Sequence, residues 1–185
     1  MVLEDPAYEA QISRAQLVVS KPLAAGGAQN VQIKGRLDSA GSARLRAERV
    51  PDPVADGVRI RLLTHAGQEV LDAILPAGAT DASGAGWRMS PAGNSAIYRA
   101  PNAPDGLNYF LLKWQSRTEP GTVQFSAQAK RGNFWIARDD LPLVMEASLE
   151  PSRAVAGECG QLAFSPAPDK PSCVMAPSNT RLTCR

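Results

Sequence analysis

Three cysteines, one histidine and a handful of carboxylates and tryptophans are the side chains of this 185-residue chain whose type and spacing could support chemistry. Cys159, Cys173 and Cys184 are all in the C-terminal region, and the residues before them hold no other cysteine. Thiols can close a disulfide, ligate a metal or attack as a nucleophile. A structural zinc site needs four ligands, and neither this spacing nor the distant His65 supplies them, so no metal or other cofactor is expected. A nucleophile needs a base held by a third group in a dry cleft. His65, the only histidine, falls in the turn Thr64-His65-Ala66-Gly67, where a solvated imidazole is the plainer reading. The carboxylates Asp139 and Asp140 are the obvious pair for glycoside hydrolysis, yet adjacent side chains diverge, and the pair reads as a polar loop before the Leu141-Pro142 segment. Asp52, Asp56 and Asp72 could meet around calcium only if their loops converge, and they lack the spacing of a calcium loop. Gly26-Gly27 and Gly84-Ala85-Gly86 lack the lysine and the following helix of a phosphate cradle. Catalytic residues are therefore not assigned, and no enzyme is expected.

Two features remain. Aromatic faces bind sugar rings as well as apolar groups, which makes Trp87 and Trp135 possible ligand contacts. Trp135 is the better placed for exposure, because Arg131-Gly132-Asn133 beside it reads as a turn, whereas Trp114 belongs to an apolar run and is expected in the core. The other feature is a pairing of thiols. Cys173-Val174-Met175-Ala176 and Arg181-Leu182-Thr183-Cys184 flank Pro177-Ser178-Asn179-Thr180, which reads as a hairpin turn. In register, that hairpin sets Cys173 opposite Cys184 at bridging distance. Cys159 then sits at the far end of a neighbouring strand in a simple meander, free or paired in a way the sequence hides. The competing reading is three reduced cysteines acting as small buried hydrophobes.

The elements that must position these residues are strands. Val31, Ile33, Gly35 and Leu37 alternate with Gln32, Lys34 and Arg36; Val58, Ile60 and Leu62 alternate with Arg59 and Arg61. The same period of two runs through residues 122–130 and 143–150, with Val144 the one apolar exception on the wet face. Each pattern marks a strand with one buried and one wet face, as antiparallel sheets have. Leu107 to Trp114 is apolar on both faces and reads as a central strand. Gly, Pro and Asn punctuate these runs at Thr64 to Gly67, Ser90 to Asn94 and Thr118 to Gly121, each supplying a turn conformation. The one helix candidate is Tyr8 to Leu17, which Val18 and Val19 extend into a strand.

The fold expected is all-β: a mostly antiparallel β-sandwich with a small cysteine-bearing C-terminal β-meander, a closed barrel being the main competitor. Its parts are a polar N-terminal arm over 1–14, a β-sandwich domain over 15–150 and a cysteine-bearing β-element over 151–185 packed on the sandwich. Residues 1–20 are also a candidate donor strand for a neighbouring subunit. The composition, 44% hydrophobic and 21% charged with a net charge of +2, supplies a core. It shows no basic stripe of the kind nucleic-acid binders carry, so no nucleic acid is expected. No apolar run reaches the roughly 18 residues of a transmembrane segment. Met1 to Pro6 has neither the basic nor the apolar part of a signal peptide; a mature chain and a cytosolic one both fit, and the clustered cysteines favour the oxidising side.

The ending Gly157-x-Cys159-Gly160, Phe164, Cys173 after a Pro-rich gap and Leu182-x-Cys184-Arg185 resembles a family of uncharacterised secreted bacterial β-domain proteins with a three-cysteine ending. Asp52 to Ile60 and the hairpin around Trp87, Asn94 and Tyr98 are similar to that family too, and the likeness covers residues 28–185. It implies a surface or extracellular β-domain, often part of a multidomain protein, and carries over no catalytic residue. The function expected is a non-enzymatic extracytoplasmic module (extracellular, cell-surface or periplasmic) with a structural or protein-interaction role, its partners other protein subunits; the alternative is a carbohydrate-binding module using exposed Trp residues.

Overall fold

The computed structural model describes residues 10–23, 29–38, 52–101, 103, 106–114, 122–149, 159–165 and 169–185. Period-two segments become strands that bury one face. In β1 (Ala10–Ser20) and β2 (Gln29–Asp38), Leu17, Val19, Val31, Ile33 and Leu37 are buried while Gln16, Gln32 and Lys34 face water. A four-residue helix, α1 (Pro53–Asp56), leads into β3 (Val58–Thr64) and β4 (Glu69–Leu75). The chain then runs through β5 (Gly86–Met89), β6 (Ser95–Arg99), β7 (Leu107–Trp114) and β8 (Thr122–Gly132) as successive antiparallel neighbours. After a 3-10 turn at Arg138–Asp140 come β9 (Leu143–Ser148), β10 (Cys159–Ala163), β11 (Cys173–Met175) and β12 (Arg181–Cys184).

These twelve strands form one mixed sheet in the order β4-β3-β9-β10-β1-β2-β8-β7-β6-β5, with the hairpin β11-β12 attached to β1. The all-β, mostly antiparallel expectation is met; among the described residues β1 with β10 is the one parallel pair of strands. The two walls around the core are halves of this one sheet, which is nearly closed in a barrel shape. Its ends approach because the segment after β4 reaches β5. The Trp87 amide donates to the Gly78 carbonyl at 3.0 Å, and the Thr80 amide to the Trp87 carbonyl at 2.9 Å. That approach requires a glycine at 86: its φ is 116°, and a Cβ there would lie 2.6 Å from the Ala79 carbonyl oxygen.

One continuous core fills the interior. Trp87 packs on Tyr98 and, edge-on, on Phe110, and Phe110 stacks parallel to Phe125 at 6.2 Å. Opposite Phe125 stands Gly35, where a Cβ would sit 2.2 Å from the ring. The bare strand at Gly35 is thus roofed by the aromatic beside it. The expected central strand is β7, flanked by β6 and β8, with Phe110 and Leu112 buried and Tyr109 and Leu111 half-buried.

The structure differs from the sequence reading at both chain ends. Residues 10–14 belong to β1, so the polar arm over 1–14 and the helix candidate Tyr8 to Leu17 both give way to strand from Ala10 on; residues 1–9 lie outside the described residues. For the same reason residues 10–20 are already paired within this chain's own sheet and are not available to a neighbouring subunit. The C-terminal segment is built into the sheet, not a meander laid on it. Eleven residues make β1 long enough to offer one edge twice. Its start pairs with β10 at Gly160 and Gln161, and its end with β12 from Leu17↔Cys184 to Ser20↔Arg181.

Candidate functional site

The cysteines are placed by strand register. Cys173 and Cys184 are direct partners across β11 and β12. Ser172 and Arg185 beside them exchange both backbone bonds, at 3.1 and 3.0 Å, which makes the cysteines a non-hydrogen-bonded pair, where side chains on facing strands come closest. They form a disulfide with Cα atoms 3.9 Å apart. Asn179, at φ 54°, closes the hairpin turn, its amide donating to the Ala176 carbonyl at 2.9 Å. Cys159 opens β10 opposite Ser148; its side chain lies outside the described residues.

The remaining chemical candidates are engaged in building the fold. His65 is exposed in its turn, its amide facing the Asp140 carbonyl at 3.4 Å. Asp140 turns back to accept the Ala137 amide at 2.6 Å, while Asp139 faces solvent. Asp52 caps α1 by accepting from the Val54 and Ala55 amides at 3.1 and 3.2 Å. Asp72 lies on the outer face of the sheet, bound to Arg59, so the three aspartates do not meet. Among the described residues no three His, Cys, Asp or Glu side chains are grouped to hold a metal. In the loop before β5, the Asp81 carboxylate accepts the Ser83 and Ala85 amides at 2.8 and 3.1 Å. These donors serve an internal acid, which holds its carboxyl below the usual range through the Ser83 hydroxyl first and the backbone amides after it. Gly26 and Gly27 lie outside the described residues.

The tryptophans part company. Trp87 is inside, 1% exposed, with its indole N–H on the Pro76 carbonyl at 2.9 Å. The segment after β4 covers it, so the expectation of a ligand contact there does not hold. Trp114 is buried as its apolar surroundings predict. Trp135 is 53% exposed, held outward in an extended segment by Phe134 and Ile136, which are buried on either side of it. The Ile136 amide anchors that segment on the Pro22 carbonyl at 3.1 Å.

Sequence reasoning missed a charged ladder on the outer face of β4-β3-β9-β10. The Arg59 guanidinium donates through two nitrogens to Asp72, one bond at 2.8 Å. Arg61 donates to Glu146 at 2.9 Å and to Glu69 at 2.8 Å, and Gln161 reaches Glu146 at 3.4 Å. The hydrogen bond from Arg59 is the leading cause that holds the Asp72 carboxyl below its ordinary range, against a smaller upward push from burial. Each charge here has a counter-charge, so the ladder ties four strands together. Beside it, β4 pairs with β3 alone among the described residues and ends the sheet. Ile74 on this edge strand is 60% exposed.

Among the described residues no helix is long and apolar enough to cross a membrane. Comparison with protein-family models, with curated proteins and with solved structures found no match.

Proposed function

We propose that this protein is a non-enzymatic interaction module of an extracytoplasmic compartment, extracellular, cell-surface or periplasmic, that joins other protein subunits by strand pairing. The observation that carries this reading is the open edge of β4. Among the described residues the main chain of β4 pairs with β3 alone, six of its seven residues in register and Val70 at a bulge, and Ile74 in this strand stands in solvent. Such an edge is a ready template for another chain, and soluble proteins ordinarily blunt it with charge, proline or a covering element. The charges of β4, Glu69 and Asp72, are drawn back onto the arginines of β3 and do little to guard it. The Cys173–Cys184 disulfide supports the oxidising location, and the resemblance of the ending to secreted bacterial β-domains points the same way.

The test is a photo-crosslinking residue at position 74 in the producing cell. A discrete protein adduct, lost when Val70→Pro disrupts the edge, is the expected result; the absence of any protein adduct at 74 refutes strand pairing. Mass analysis of unreduced protein tests the compartment, because a free Cys173 there contradicts it. Trp135 favours a second reading, carbohydrate binding through its exposed ring, for which quenching of fluorescence by a sugar should vanish in Trp135→Ala.

A further inference from the structure

The net charge of +2 conceals a division of charge within the sheet. Strands β3, β4, β9 and β10 hold two arginines and three carboxylates, interlocked in the ladder. The other eight strands hold nine Lys and Arg and a single carboxylate, Asp38. Asp38 is taken by Arg36 at 2.7 Å and by the Thr122 hydroxyl at 3.0 Å. Among the described residues no carboxylate pairs with Arg14, Lys34 or Lys113, all exposed on the outer face.

Register makes this concentration sharper. Arg14 lies directly opposite Arg36, Arg36 opposite Gln124, and Gln124 opposite Lys113, so one row crosses four strands with three cations and no acid. The adjacent row is Gln16, Lys34, Ser126 and Leu111. Like charges facing each other across strands oppose folding; Asp38 offsets Arg36, while Arg14 and Lys113 keep their charge without a carboxylate partner among the described residues. These two rows line an open groove of about 600 Å³. Gln16 is shared with a second groove of about 550 Å³ that runs past Arg181, Arg185 and Lys170.

We infer that this face binds an anionic polysaccharide, a chain of uronate sugars laid across β1, β2, β8 and β7. The cations supply the attraction to carboxylates, while the interleaved amides of Gln16 and Gln124 and the Ser126 hydroxyl both donate and accept, as sugar hydroxyls require. Neighbouring strands lie ~4.8 Å apart, close to the length of one pyranose unit, so successive rings meet successive cations or amides. An acidic peptide strand would find no main-chain ladder here, since this is the face of the sheet and not its edge. A single-stranded nucleic acid needs exposed aromatic rings for stacking; the one ring in the groove, Phe125, is buried. The face is separate from β4 and from Trp135, and does not depend on either of those readings.

The test is binding of the full chain to polygalacturonate and alginate by isothermal titration and affinity electrophoresis. Neutral dextran, duplex DNA and phosphatidylglycerol vesicles serve as comparisons. Wild type should bind the polyuronates and weaken as salt rises. The variant Arg14→Gln/Lys34→Gln/Lys113→Gln should bind at least tenfold more weakly. The variant Ala66→Glu/Gln68→Glu/Ala82→Glu has the same formal charge at exposed positions elsewhere and should bind within about twofold of wild type. All substituted side chains are exposed, and a cooperative melting transition no lower than that of wild type verifies the fold of each. Failure of wild type to bind either polyuronate overturns the inference. So does an equal loss in both variants, which would mean net charge alone, or equally tight binding to DNA or to the vesicles.

Discussion

Cutting the Cys173–Cys184 bond tests how this sheet holds its C-terminal hairpin. The bond closes a loop whose ends are 11 positions apart. Restricting an unfolded chain by a loop of about a dozen residues corresponds to roughly 2.8 kcal/mol at 25 °C in the chain-entropy account. For a protein of this size, that loss lowers the melting temperature by about 6–11 °C. Two perturbations separate the cross-link from the packing around it. Reduction breaks the bond and leaves both sulfurs in place, whereas Cys173→Ala/Cys184→Ala also removes two side chains that are 8% and 0% exposed. Reduction should therefore cost the entropic amount, and the double substitution more, because it opens space beside Leu182 and Met175 in the core. Urea unfolding of oxidised, reduced and substituted protein gives all three values. The slope with urea should be steeper for the reduced form, whose unfolded chain exposes more surface. If reduction leaves the unfolding midpoint where it was, the unfolded hairpin is already as confined as the bond would make it, and the loop-entropy reasoning is wrong for this protein.

Three further outcomes follow from particular contacts. Gly35→Ala forces the Phe125 ring off its stack on Phe110 and should cost about 1–3 kcal/mol, measured by urea unfolding; a Phe125→Leu change in the same chain should recover part of it, and strict additivity of the two would refute the contact. The Asp72 carboxyl, depressed chiefly by its bond from Arg59, binds its proton more readily in the unfolded chain. It therefore adds stability that is present above the ordinary carboxylate pKa of about 3.9 and lost as pH falls through the lower folded value. Asp72→Asn should flatten the fall in melting temperature on the acid side, and an unchanged acid limb would contradict this. Arg14→Gln removes one of two arginines that face each other across β1 and β2, and should stabilise the fold by about 0.2–1 kcal/mol at low salt. The gain should shrink in high salt, and a loss of stability at low salt would show that Arg14 is favourably paired.

Local pattern carried far in this chain wherever a strand has one wet face. Residues 31–37, 58–62 and 123–129 alternate without interruption, and the hairpin turn alone sets Cys173 against Cys184. Reading failed where the backbone breaks step. Between Ile12 and Arg14 the register of β1 on β2 shifts at a bulge, so inward positions go from Ile12 to Ala15 and Leu17. A spacing of three imitates a helix, which is why the segment from Tyr8 to Leu17 resembles one. Contacts made by remote segments left no mark in local sequence. Trp87 sits in a short polar hairpin whose pattern gives no hint that Pro76 will cap its indole. Arg61 meets Glu146 across 85 positions, and the row from Arg14 through Arg36 to Lys113 exists only once β1, β2, β8 and β7 are side by side. Cations that look scattered among acids along the chain are sorted by the order of the strands.

The doubly used edge of β1 has a consequence in time. On one side β1 receives strands that lie far later in the sequence: β10 at its start and β12 at its end. Strand pairings so distant along the chain form slowly, because a long loop must close before any contact rewards it. Until Arg181–Cys184 is delivered, residues 17–20 keep an open flank on the chain's own first strand. A chain that stops before β12 would lack that flank's partner and one of the two sulfurs that lock it. Closure of that flank therefore waits on β12, and the disulfide then holds the hairpin that carries it.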